Sequence, residues 1–141
     1  MTIMIRRTKR LFLSVFLVFF FLPLAIAADV DVSGTWSSDL VGEIILSQHG
    51  NRVTGTYQYT SDEGIAKDGE ISGVLEGRTI HATWSEHPSG GGRPQGRIGE
   101  DTQGDLEWEV SDDGKTLSGW YREAGDRDPG EEEKQEWNLE R

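Results

Sequence analysis

The stretch Asp105-Leu106-Glu107-Trp108-Glu109-Val110 alternates acid and apolar residue without a break. A strand sends Leu106, Trp108 and Val110 to one face and the three acids to the other, whereas a helix would scatter them around its axis. Like charges on a single face require water there, so the segment predicts a strand with one buried and one wet face.

Seven further runs behave in the same way, and Gly-rich turn residues punctuate them at the spacing of a meander. In chain order the eight are Gly34–Ser38, Gly42–Gln48, Arg52–Thr60, Gly69–Leu75, Thr79–Glu86, Gly104–Val110, Thr116–Glu123 and Lys134–Arg141. Val53, Gly55, Tyr57 and Tyr59 share one face of the third, and Ile80, Ala82 and Trp84 share one face of the fifth. His49-Gly50-Asn51, Glu76-Gly77-Arg78 and Asp112-Asp113-Gly114-Lys115 read as tight turns. The connections Ser61–Lys67, His87–Asp101 and Ala124–Glu133 read as longer polar loops.

No helical period runs through this part of the chain, and Gly55, Gly73 and Gly119 lie inside strands, where they let a sheet coil tightly. Eight antiparallel strands with wet outer faces are best satisfied by closing on themselves, since closure removes both free edges. The expected fold is therefore an all-β, eight-stranded up-and-down barrel, with a two-layer sandwich of the same strands as the alternative.

The first 27 residues are of another kind. Arg6, Arg7, Lys9 and Arg10 precede a 12-residue apolar run, Leu11–Leu22, which Pro23 ends before Ala25-Ile26-Ala27. This is the order of a secretory signal peptide, so cleavage after Ala27 and an exported product, periplasmic or extracellular, are expected. A membrane span would need about 20 apolar residues. Residues 28–141 then form a single domain of 114 residues without cysteine.

Four of the 14 bases lie in the leader and none of the 25 acids, which leaves the domain with a formal charge of −15. Such a charge repels phosphate backbones and argues against nucleic acid and anionic membrane surfaces as partners. All five Phe also lie in the leader, so Trp and Tyr must anchor the core.

Ser33-Gly34-Thr35-Trp36 resembles the Gly-x-Trp signature on the first strand of calycins, the superfamily of lipocalins, fatty-acid-binding proteins and avidins. Val53-Thr54-Gly55-Thr56-Tyr57 is similar to the second hairpin of avidin and streptavidin. The resemblance implies a barrel closed by its first and last strands, with Arg141 laid across Trp36, and a cavity that Trp84, Trp108 and Trp120 could line. Biotin binding is not implied. Tyr59 stands where avidins carry a small hydroxyl, and acids occupy the region after Trp36.

Candidate chemistry is sparse. His49, His81 and His87 lack metal-ligand spacing, and the acids Asp126, Asp128, Glu131, Glu132 and Glu133 do not follow a calcium-loop pattern. No nucleophile, base and orienting acid come together, so neither an enzyme nor a cofactor is expected. The expected function is binding of a small apolar or amphipathic ligand in the barrel mouth, with Tyr57, Tyr59, Trp84 and Trp108 as walls. Arg93 and Arg97, in the Gly-rich loop, would meet an acidic head group or else balance Glu86, Glu100 and Asp101. The alternatives are a protein-binding module, such as an inhibitor of exported proteases using a free segment Ala28–Val32, and a packed structural domain.

Overall fold

Alternation along each run becomes the inside and outside of a closed barrel. The structure is a computed structural model that describes residues 29–89, 101–125 and 133–141. Its strands are β1 (Gly34–Ser38), β2 (Gly42–His49), β3 (Arg52–Thr60), β4 (Ala66–Glu76), β5 (Thr79–Pro88), β6 (Thr102–Val110), β7 (Thr116–Glu123) and β8 (Gln135–Glu140). Each pairs antiparallel with the next, and β8 returns to β1. Among the described residues there is no helix.

The seam is short. β1 and β8 share only Ser37↔Glu140 and Ser38↔Leu139, whereas β3 and β4 are paired from Arg52↔Val74 to Thr60↔Ala66. Side chains reinforce it: Trp137 on β8 donates its Nε1–H to Ser38 Oγ at 2.8 Å. Arg141 carries its guanidinium carbon 4.5 Å from the centre of the Trp36 ring. The same guanidinium donates to the carbonyls of Asp31, Ser33 and Gly114, so it ties the chain end to the segment before β1 and to the β6–β7 turn.

The barrel has two unlike ends. Tight turns after β2, β4 and β6 gather at one, and Gly77 and Gly114 there take φ of 64° and 69°, the left-handed conformation that glycine adopts without strain. Val53, Ile80, Val110 and Leu117 lie within two residues of these turns and are buried. Val32 plugs the same end. It is fully buried, its N–H donates to Gln48 Oε1, and its carbonyl accepts the Trp36 indole N–H at 2.9 Å. The expected free N-terminal segment is therefore docked over Val30–Val32, because Gln48 also donates to the Val30 carbonyl.

The other end carries the connections after β1, β3, β5 and β7. There the strands run on past the expected boundaries: β4 starts at Ala66, β5 continues to Pro88 and β6 starts at Thr102. Lys67, expected in a loop, is thus a strand residue, and it sits beside Glu86 of β5.

Candidate functional site

The long-connection end opens into a cavity of about 300 Å³. Its walls are aromatic: Tyr57 from β3, Trp84 from β5, Tyr121 from β7 and Trp137 from β8, with Tyr59 nearer the rim. Leu40 and Val41, from the β1–β2 turn, form an apolar lip.

Trp137 is the floor. Tyr57, Trp108 and Tyr121 all meet it edge-on, with ring centres 5.8, 5.1 and 5.4 Å away. These are the tilted arrangements that aromatic quadrupoles favour, and with the indole N–H bound to Ser38 the ring is fixed in plane and position. Trp84 joins the wall through an edge contact to Tyr121 at 5.9 Å.

A carboxylate stands among these rings. Glu86 ends the inward-facing series Ile80, Ala82, Trp84, and it is 9% exposed. Its Oε1 accepts the Tyr57 O–H and its Oε2 the Tyr59 O–H, each at 2.8 Å, and Lys67 Nζ lies 3.6 Å from Oε2. A buried carboxylate needs such partners, because taking the charge out of water costs several kcal/mol when it is unpaired (roughly). Burial first, and then the Glu86 charge, push the ionisation of Tyr57 and Tyr59 well above the usual tyrosine value. Tyr121 moves in the same direction through burial and through Glu86 and Glu123. All three tyrosines of the chain line this one cavity.

Local packing makes the arrangement possible. Gly69 of β4 lies directly under the Tyr57 ring, where a Cβ would come within 2.1 Å of Tyr57 Cζ. Opposite Trp84, Gly104 leaves the strand bare, so the indole passes over it and donates to the Arg122 carbonyl at 3.2 Å.

No protein-family model, no curated protein and no solved structure matches the chain. What the structure carries of the calycin resemblance is its architecture, a closed eight-stranded antiparallel barrel.

Of the residues read from the sequence as ligand contacts, Tyr57, Tyr59 and Trp84 line the cavity together. Trp108 does not: it is wholly buried, packed against Trp137, and donates to the Trp137 carbonyl. Trp120, expected as a further cavity tryptophan, points outward from β7 and carries the Lys134 ammonium 3.8 Å from its ring centre. Arg93 and Arg97 lie outside the described residues, as do Asp126, Asp128, Glu131 and Glu132. His81 stands on the outer face, its Nδ1 3.1 Å from Glu107. The sequence reading missed Lys67, Tyr121 and Trp137 as wall residues and did not place Glu86 in the cavity, weighing it as a charge near two arginines. The signal was there for Glu86, since strict alternation after Trp84 puts it inside.

Proposed function

We propose that this protein is an exported binding module that holds one small, largely apolar molecule in the open end of its barrel. The observation that carries the reading is the cavity itself, which joins five aromatic rings to a few convergent polar groups. That composition and a volume of about 300 Å³ are typical of small-molecule sites, and the mouth of a barrel is a usual place for them. Fixed rings also keep the site open without ligand, which lowers the ordering cost of binding.

Binding rather than catalysis fits the placement of Glu86, the one buried acid among the described residues. Glu86 is fixed by Tyr57, Tyr59 and Lys67 as a hydrogen-bond acceptor in the cavity wall. Export rests on the basic and apolar order of residues 1–27, and an intact mass beginning at Ala28 is the expected product.

The test is a titration of intrinsic tryptophan fluorescence with a panel of small aromatic and amphipathic molecules. Trp84 and Trp137 border the cavity, so a bound ring should perturb their emission saturably. Thr102→Phe, which fills the mouth from β6, should abolish the response while the melting temperature holds. Absence of saturable binding across the panel, with the cavity confirmed to be filled by the protein's own side chains, would sink the proposal.

A further inference from the structure

We infer that the ligand is an organic cation, an aromatic or apolar body ending in an ammonium or similar donor group, recognised between the aromatic box and the carboxylates Glu86 and Glu123. The inference rests on the binding function proposed above and names its ligand class.

The argument is a count of what the walls still offer. Every aromatic N–H and O–H of the box is already donated within the protein: Tyr57 and Tyr59 to Glu86, Tyr121 to Gln135, Trp84 to the Arg122 carbonyl, and Trp137 to Ser38. A phenol whose O–H is already engaged as a donor offers a ligand only its oxygen lone pairs and its ring, and an indole so engaged offers no further N–H. What lines the cavity is therefore rich in electron density and acceptors: five aromatic rings, phenol oxygens and two carboxylates. Among the described lining residues the donors left are the Lys67 ammonium and the Thr102 hydroxyl.

A neutral apolar ligand would leave the acceptors unused, and an anion would meet Glu86 and Glu123 across rings whose faces repel it. A cation meets both features favourably. Ring faces attract an ammonium, more so where water is excluded, and a carboxylate adds a charge-assisted bond. Lys67 shows that the site accepts such a group. Its ammonium already lies against Glu86, with only 16% of the side chain exposed. The contact is 3.6 Å, longer than a charge-assisted hydrogen bond, so a ligand ammonium with better geometry can displace it. Lys67 is then the site's resident cation in the absence of ligand, returned to solvent at the rim when the cavity fills.

Three molecules of matched shape separate the possibilities by calorimetry at neutral pH: phenethylamine, 2-phenylethanol and 3-phenylpropionate. The amine should bind at least about tenfold tighter than the other two, the scale of one desolvated cation–π contact. Lys67→Met should strengthen amine binding by about tenfold and leave the alcohol unchanged. Glu86→Gln should abolish the preference for the amine. Because Glu86 also holds two tyrosines, Glu123→Gln is the companion variant: its side chain is at the exposed end of β7, and it should weaken the amine severalfold and spare the alcohol. Equal binding of amine and alcohol, or tighter binding of the acid, overturns the inference and leaves the binding function standing. Silence from all three, together with silence from the wider fluorescence panel, overturns both.

Discussion

Replacing Gly69 by alanine should destabilise the barrel by about 2–5 kcal/mol, a large effect for one methyl group on a strand. The backbone accepts alanine there, since Gly69 is not among the glycines with positive φ. Space does not: the new Cβ would lie 2.1, 2.3 and 2.5 Å from Cζ, Cε2 and Cε1 of Tyr57. The ring cannot slide aside freely, because it is 3% exposed, edge-packed on Trp137 and bonded to Glu86. Overpacking of this kind costs about 1–3 kcal/mol, and losing the phenol–carboxylate bond adds about 1.5–3. The lower unfolded-state entropy of alanine offsets about 0.4–1 kcal/mol. Urea unfolding measures the outcome: with a slope near ~2 kcal/mol per M, the midpoint should fall by about 1–2.5 M at unchanged slope. The cause is isolated by repeating the substitution in a Tyr57→Leu background, where it should become neutral or slightly stabilising. A Gly69→Ala midpoint close to wild type, or an equal loss with and without the Tyr57 ring, would refute the packing argument.

Two further outcomes concern the tyrosine cluster and the Trp36–Arg141 clasp. Tyr57, Tyr59 and Tyr121 ionise above their ordinary value of about 10 in the folded protein, so above that pH the unfolded chain binds fewer protons than the folded one and stability falls. The loss is about 1.4 kcal/mol per pH unit for each tyrosine that stays protonated in the barrel, and Tyr57→Phe should make the alkaline decline shallower; tyrosinate absorbance rising before unfolding would count against it. At the tight-turn end, Trp36→Ala should cost about 3–5 kcal/mol in chemical denaturation and Arg141→Ala about 1–2, since the ring is core and the guanidinium an exposed clasp; equal costs would contradict that division.

The strands were legible because most of the barrel interior is dry. Where the inward positions are Val53, Tyr57, Ile80, Trp84, Leu106 or Trp108, polarity alternates and the run declares itself. The boundaries moved by a single residue at the tight-turn end and by up to three at the open end, where the inward positions are Lys67, Glu86, Thr102 and Glu123 and the pattern that marks a strand fades because the inside becomes wet. The residues hardest to read as strand are thus those that build the cavity. Depth was illegible for a different reason. Trp84, Trp108 and Trp137 have the same local pattern, and only the stagger of paired strands decides that Trp108 lies under the floor, Trp137 forms it and Trp84 stands on the wall. Trp120 was misplaced by the resemblance to avidins, since alternation from Leu117 already sends it outward.

The division between the two ends bears on how the site can be altered. Stability resides in the fully buried residues Val32, Trp36, Ile44, Val53, Ile80 and Leu117, and in the clasp that Arg141 makes across Trp36, the chain start and the β6–β7 turn. None of these residues touches the cavity. The mouth contributes through Trp137, whose ring belongs to both halves: its Ser38 bond spans the short β1–β8 seam, and Tyr57 and Tyr121 pack against it in tilted contacts. Rim residues such as Leu40, Thr102 and Glu123 can therefore change ligand preference at small cost in stability, while any change at Trp137 acts on both. Because ring positions are locked from below and polar groups are set from the rim, the barrel can keep one cavity shape while the charge it recognises is tuned separately.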